Sequence, residues 1–269
     1  MTAGTPIGEA TRRHWLPVAL GAVLVAYLVV PFVAFLAHTG AADIGSRLTA
    51  PDARAAIRTS LATATAATVL ATVFGVPLAY TLARATFPGK RLVNGLVVLP
   101  LVVPPLVGGT MLLTVVGRFT PLGAWAAAAG IPLTNSPIGV VLAQTFVAAP
   151  FLVVAARSGF DGVDPRFEDA ARSLGRGPLA TFWTVSIPLA RPAILAGIVL
   201  TFARALGEFG ATMMVATTPR TVPIRIWVAF RSDGIDAVVP LAVALLVITL
   251  FVVGAVHRLG EQAAAVPPE

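Results

Sequence analysis

The chain has 269 residues, of which 57% are hydrophobic and only 12% charged, with a mean hydropathy of +0.88, whereas soluble domains carry about 25% charged residues. That balance excludes a water-soluble fold and makes the bilayer the solvent for most of the chain. The formal charge of +7 does not point to nucleic acid, because the basic residues lie mostly in short loops between apolar runs, without a basic stripe of interleaved aromatics; the lack of cysteine excludes disulfides and thiolate chemistry.

Residues 1–15 carry Arg12 and Arg13 and read as a basic, cytoplasmic N-terminus. The apolar run 16–37 that follows is longer than a signal-peptide core of about 7 to 15 residues and has no small-residue cleavage site after it, so it reads as a retained first span. Runs without charge at 59–83, 92–117, 137–156 and 237–256 are each long enough to cross about 30 Å of hydrocarbon. The run 92–117 contains Pro100, Pro104, Pro105, Gly108 and Gly109, which predict a kinked or broken helix whose freed backbone groups neighbouring helices must satisfy. Between Phe119 and Ser136 the chain is cut by Pro121, Gly130 and Pro132, and the Ala-rich piece between them is too short to span; an interfacial or re-entrant segment is expected.

A sixth candidate span, 192–217, holds Arg204 and Glu208. Four apart on a helix, they share one face and can pair, offsetting a cost of about 2.5 to 3.5 kcal/mol per charge in the membrane. Counted from Pro192, Arg204 falls about 18 Å along the helix, near mid-membrane. Gly207 and Gly210 permit close approach of a neighbouring helix. The pair has two readings: Arg204 lowers the barrier for an anion crossing a central cavity, or the pair fixes helix packing. With six spans and the N-terminus inside, eleven cationic side chains lie on the cytoplasmic side and seven outside, and the tail 259–269 is cytoplasmic.

The longest hydrophilic stretch, 157–191, reads as two short helices. Asp164 and Pro165 form an N-cap followed by proline at the first helical position, Glu168 and Asp169 suit the first turns, and Gly175 suits a left-handed cap. Gly177 and Pro178 restart a helix through Phe182 and Trp183, which Pro188 is expected to end or kink. Small Ala170 and Ala171 beside apolar Phe167 and Leu174 suit insertion into a partner's groove rather than a plain connector.

The run Asp169-Ala170-Ala171-Arg172-Ser173-Leu174-Gly175, followed after nine residues by Val185-Ser186-Ile187-Pro188, resembles the EAA loop of ABC importer permeases: Glu-Ala-Ala, three residues, Gly, nine residues, Ile-x-Leu-Pro. Asp169 stands for the usual Glu, and Val185 and Ile187 are conservative replacements. The run Phe202-Ala-Arg-Ala-Leu-Gly-Glu-Phe-Gly-Ala-Thr-Met-Met-Val215 is similar to a signature of molybdate permeases and, less closely, of sulfate and thiosulfate permeases, although the Gly-Asn pair common after it is replaced by Ala216-Thr217-Thr218-Pro219-Arg220.

The resemblance implies an all-α integral membrane protein, a bundle of six transmembrane helices with the type I ABC importer permease fold, spanning 16–258 of the bacterial cytoplasmic membrane with the coupling loop at 157–191. It implies a coupling helix seated on a separate ATPase, with Ala170 and Ala171 permitting close approach, Gly175 making the turn, Asp169 and Arg172 giving polar rim contacts, and Leu174 and Pro188 completing the motif. The partners it implies are two copies of that ATPase, an extracytoplasmic oxyanion-binding protein and a second permease copy as a homodimer. Molybdate is the expected cargo, with tungstate, sulfate or thiosulfate as alternatives. No cofactor is expected on this chain, ATP and Mg being used by the ATPase: there is no G-x-x-x-x-G-K-[ST] loop, and Gly89-Lys90 lacks the upstream glycine and the following hydroxyl residue.

An intramembrane enzyme is the rival from a different class. It is disfavoured because His14, His38 and His257 all lie at span ends and neither H-E-x-x-H nor G-x-S-x-G occurs. A channel or secondary carrier has no use for the EAA-like loop.

Overall fold

In the computed structural model, which describes residues 15–38 and 44–264, every regular element among those residues is a helix. The chain divides into two compact units, 1–47 and 48–269. The expected cytoplasmic N-terminus lies outside the described residues except for Trp15, as do the last five residues of the expected C-terminal tail.

In the first unit, α1 (Trp15–His38) is a 24-residue helix without Asp, Glu, Lys or Arg, about 36 Å long at 1.5 Å per residue. Apolar side chains go all round it without a charged face, as suits a helix long enough to cross a bilayer. The short α2 (Ile44–Thr49) crosses the division between the units.

The second unit is built on α3 (Pro51–Arg84), 34 residues long. Its threonines would be costly in hydrocarbon, and the helix itself answers this: Thr63, Thr68, Thr72 and Thr81 each donate a hydroxyl proton to the carbonyl four residues back, at 2.7 to 2.9 Å. One face of α3 is small and buried, through Ala53, Ala56, Ser60, Ala64, Ala67, Ala71, Gly75 and Ala79. A small-residue face lets backbones approach closely, which drives association where lipid is as apolar as the side chains.

The run 92–117 is two helices: α4 (Lys90–Val102) and α5 (Pro105–Val116), broken at Val103 and Pro104. Pro104 and Pro105 both lack an N–H, and Val103, preceding a proline, is held extended at ψ 129°. After α5 the chain turns by 66° into α6 (Pro121–Ala128), the short Ala-rich piece expected to fall short of spanning. Next comes α7 (Pro137–Asp161), capped by Ser136, whose Oγ accepts from the N–H of Gly139 at 3.1 Å.

The loop helix α8 (Pro165–Ser173) precedes α9 (Pro178–Thr181), and a π-helical turn at Phe182–Ser186 joins α9 without interruption to α10 (Ile187–Leu206). Pro188 therefore does not end or kink a separate helix as expected. It sits in the first turn of α10, where its missing N–H is tolerated, and the wider turn before it is closed by the bond from Ile187 N–H to Phe182 O, five residues back. The second loop helix is thus the foot of a 29-residue span, Pro178–Leu206.

That span packs on α7 through small residues. A β-carbon on Gly159 would lie 2.5 Å from Ala193 Cβ, and one on Gly197 would lie 2.9 Å from Leu152 Cδ1. The expected continuous helix 192–217 is not formed. α10 stops at Leu206, Gly207 to Phe209 are non-helical, and α11 (Gly210–Val215) resumes. Finally α12 (Val222–Asp233) is tied to α3 by Val222 N–H donating to Ser60 Oγ at 2.8 Å, and α13 (Ile235–Ala264) continues past residue 258 into the expected tail 259–269.

By length and composition α1, α3, α7 and Pro178–Leu206 can each cross a membrane; α5 and α6 are apolar enough only as a pair, whose 66° bend fits a broken span or a re-entrant loop, and α13 contributes a shorter apolar stretch, Ile235–Phe251. The run 92–117 is not one continuous crossing helix, because the prolines at 104 and 105 break it.

Candidate functional site

Two places gather the residues singled out in the sequence, the loop around α8 and the break after α10. In the loop, Asp164 Oδ1 accepts from Arg166 N–H at 2.9 Å, so the N-cap forms as expected. At the other end Gly175 adopts φ +83°. Its N–H donates to Arg172 O at 2.9 Å while Arg176 N–H donates to Ala171 O at 3.0 Å. Those are the two bonds of a Schellman cap, and they need a left-handed residue at this position.

The outward face of the loop carries Asp169 and Arg172, paired at 3.1 Å, with Ala170 and the apolar side chains of Phe167 and Leu174, the last 85% exposed. Leu179 and Trp183 extend the apolar surface onto the foot of the next helix. Ala170 and Ala171 part company, however: Ala170 faces outward, but Ala171 is buried against this chain's own bundle, because neighbours on a helix point about 100° apart. Of the two, Ala170 is the one left exposed.

The loop's inward face has at its centre a residue that sequence reasoning treated only as a helix-dipole carboxylate. Glu168 is 1% exposed. Its Oε1 accepts from Arg84 Nε and from Ser186 Oγ, both at 2.9 Å, and its Oε2 lies 3.4 Å from the Tyr80 hydroxyl and 3.5 Å from Arg172. Arg84 also donates to the carbonyl of Val163 at 2.8 Å. Beneath this carboxylate the Tyr80 ring meets Phe160 at 5.3 Å and Phe182 at 4.8 Å, within the favourable range for aromatic pairs. The available signal was the spacing of Glu168 and Ala171, three apart on one face of a short helix, opposite Asp169.

At the second place, Arg204 and Glu208 do pair, with Arg204 NH1 2.7 Å from Glu208 Oε2. They do so across the end of a helix rather than along one. Arg204 stands in the last turn of α10, and Glu208, 1% exposed, lies within the break and accepts from Ala211 N–H at 2.7 Å through Oε1. The cation faces the carbonyl end of α10, which favours it. Because α10 starts at Ile187, the distance counted from Pro192 does not fix the depth of Arg204.

The break after α10 lies against the break before α5. A β-carbon on Gly210 would be 3.0 Å from Leu106 N and 3.1 Å from Pro105 Cβ, and one on Gly109 would be 2.8 Å from both Ala211 Cα and Ala211 O. Gly210 therefore makes the close approach expected of it, whereas Gly207 has only the carbonyl of Ala203, at 3.6 Å, near its would-be β-carbon. Interrupted helices at membrane depth persist where protein or a watery cavity satisfies the freed backbone. At the opposite end of α3 from Arg84, an open cleft of about 340 Å³ is lined by Asp52, Thr59, Thr218, Arg220 and Arg225, with Arg225 NH2 3.4 Å from Asp52.

Residues 71–262 match the family described as the binding-protein-dependent transport system inner membrane component. A protein of Haloferax volcanii named as a probable molybdenum ABC transporter permease is 46% identical over 247 residues, covering 92% of this chain and 90% of that one. The molybdate/tungstate transport system permease protein WtpB of Thermococcus kodakarensis is 40% identical over 88% of this chain and 91% of its own length. The fold is similar to that of a chain in a bacterial alginate ABC transporter crystallised with an alginate pentasaccharide-bound periplasmic protein, with a TM-score of 0.77 at 13% identity, covering 98% of this chain and 100% of that one. The bundle is therefore that of an ABC importer permease, a multi-pass inner-membrane transport subunit. The chain belongs to the family of binding-protein-dependent transport system inner membrane components.

Proposed function

We propose that this chain is the membrane-spanning subunit of an importer for molybdate, driven by ATP hydrolysis on a separate chain. The observation that carries the substrate is the similarity, over nine-tenths of the chain, to a molybdenum permease. A relative named for molybdate and tungstate keeps tungstate as the nearest alternative.

The exposed Phe167, Ala170, Leu174 and Trp183 around the Asp169–Arg172 pair supply the surface for the ATPase. An apolar patch rimmed by charge is how such docking sites read. Two ATPase subunits, using ATP and Mg, serve a homodimer of this chain, and the binding protein docks on the opposite face. Both termini are cytoplasmic, on the side of the coupling loop, and Arg84 and Arg157 to Arg191 belong to that same side. Arg204, held by Glu208 beside the facing helix breaks, offsets the charge of the passing dianion.

The deciding experiment reconstitutes the chain with its ATPase and binding protein and asks which oxyanion stimulates ATP hydrolysis. Molybdate is expected to do so; stimulation by sulfate and not molybdate overturns the assignment.

Gly175→Val probes the loop. Its β-carbon meets nothing within 4 Å, so the effect is conformational: a β-branched residue at φ +83° opposes the cap by about 1 to 2 kcal/mol. Hydrolysis is expected to continue while substrate-stimulated hydrolysis and uptake fall. Full stimulation in that variant counts against the loop as the coupling element.

A further inference from the structure

Four elements converge on one carboxylate. Glu168 belongs to the loop helix α8, Arg84 and Tyr80 to the end of α3, Ser186 to the π-helical turn that leads into α10, and Phe160, which packs on Tyr80, to the end of α7. Both oxygens of Glu168 are used, and Ser186, like Glu168, is buried. Charge-assisted bonds in so dry a place are stronger and more directional than those on a surface.

Phe167, Asp169 and Ala170 are exposed on the other side of α8, and of its outward side chains Arg172 reaches back to Glu168, at 3.5 Å. Glu168 thus divides the loop helix into a face that a partner can grip and a face bolted to the bundle. A further side-chain tie from the loop to the foot of α10 is the exposed bond from Arg176 NH1 to Thr184 Oγ1, at 2.8 Å. Arg84 strengthens the link, because its NH2 group donates to the carbonyl of Val163 just before α8 begins.

We propose that Glu168 is the positioning residue of energy coupling: it makes a displacement of α8 into a joint displacement of α3 and α10. This rests on the reading of the chain as an ATP-driven permease. Through α3 the motion reaches the cleft at Asp52 and Arg225, and through α10 it reaches Arg204. Two discrete arrangements of such a buried network transmit force where a soft contact would absorb it.

The test uses the full complex in proteoliposomes, with ATP hydrolysed and molybdate taken up measured in the same sample. Glu168→Gln keeps the size and one acceptor but removes the charge that Arg84 meets. It is expected to retain the ATPase and hydrolyse ATP at a rate near that of the parent while taking up about tenfold less molybdate per ATP. Arg84→Met combined with Glu168→Gln is expected to be no worse than Glu168→Gln alone, since both remove one tie. Unchanged uptake per ATP in Glu168→Gln overturns the proposal, and so does a proportional fall of hydrolysis and uptake, the mark of a merely structural role.

Should Glu168→Gln fail to assemble, Ser186→Ala decides, since it removes a donor without uncovering a charge. A fall of about threefold in uptake per ATP supports the tie, and no change overturns it. A parent complex without ATP-driven uptake of molybdate is a different result. It sinks the functional reading itself rather than the role of Glu168 within it.

Discussion

Glu208→Ala is expected to destabilise the membrane bundle by about 3 kcal/mol, the scale for removing one partner of a buried ion pair. Glu208 spends one oxygen on Arg204 and the other on Ala211 N–H, so its loss leaves a largely covered guanidinium without its counter-charge and the first turn of α11 without its acceptor. The measurement is the melting temperature in detergent, and an unchanged value would show that the pair holds nothing. Arg204→Met together with Glu208→Ala is expected to recover part of the loss, because no charge is then stranded. Uptake separates packing from passage: Arg204→Gln, at normal assembly, is expected to lower molybdate uptake, and unchanged uptake would leave the pair a packing device alone.

The second large effect is expected at Gly109, where α5 crosses α11. A β-carbon there would lie 2.8 Å from Ala211 Cα, Ala211 O and Met214 Cβ. Backbone atoms cannot rotate away as a flexible side chain can, so Gly109→Val forces the two broken helices apart at a cost of about 3 kcal/mol. The complex is expected to be lost from the monodisperse peak on size-exclusion chromatography. Gly95→Val in α4 is the control, since nothing lies within 4 Å of its would-be β-carbon. Equal behaviour of the two variants would refute the close crossing.

Much of this architecture was legible in the residues because each feature has a local cause. Asp164-Pro165 and Gly175 announce the ends of α8 through capping chemistry that involves only neighbours in sequence. Pro104-Pro105 announces the break between α4 and α5 in the same way. The features that escaped depend on distant partners. Glu168 meets Arg84, 84 residues away, and although its spacing from Ala171 marks a shared face, that spacing does not say that a distant arginine draws the face inward. Pro188 misled for a related reason. A proline stops a helix only if the turn before it cannot widen, and whether it widens depends on Phe182 and Ser186 packing inward.

The break at Gly207 shows the same division. Arg204 and Glu208 pair as four-residue spacing predicts, but the helix meant to carry them ends between them, where Gly210 meets the start of α5. Their partnership survives because a guanidinium is long enough to bridge a turn of irregular chain.

The π-helical turn at Phe182–Ser186 sets the phase between two surfaces. One extra residue in a turn rotates everything beyond it by about 100° relative to an uninterrupted α-helix. Leu179, on the near side, is thereby aimed outward while Ile194 and Gly197, on the far side, are aimed at the bundle. Shortening or lengthening the chain between them by a single residue would turn one surface away from its target without substituting any residue of either surface. The number of residues in that turn is therefore as much a part of the docking surface as the side chains that form it.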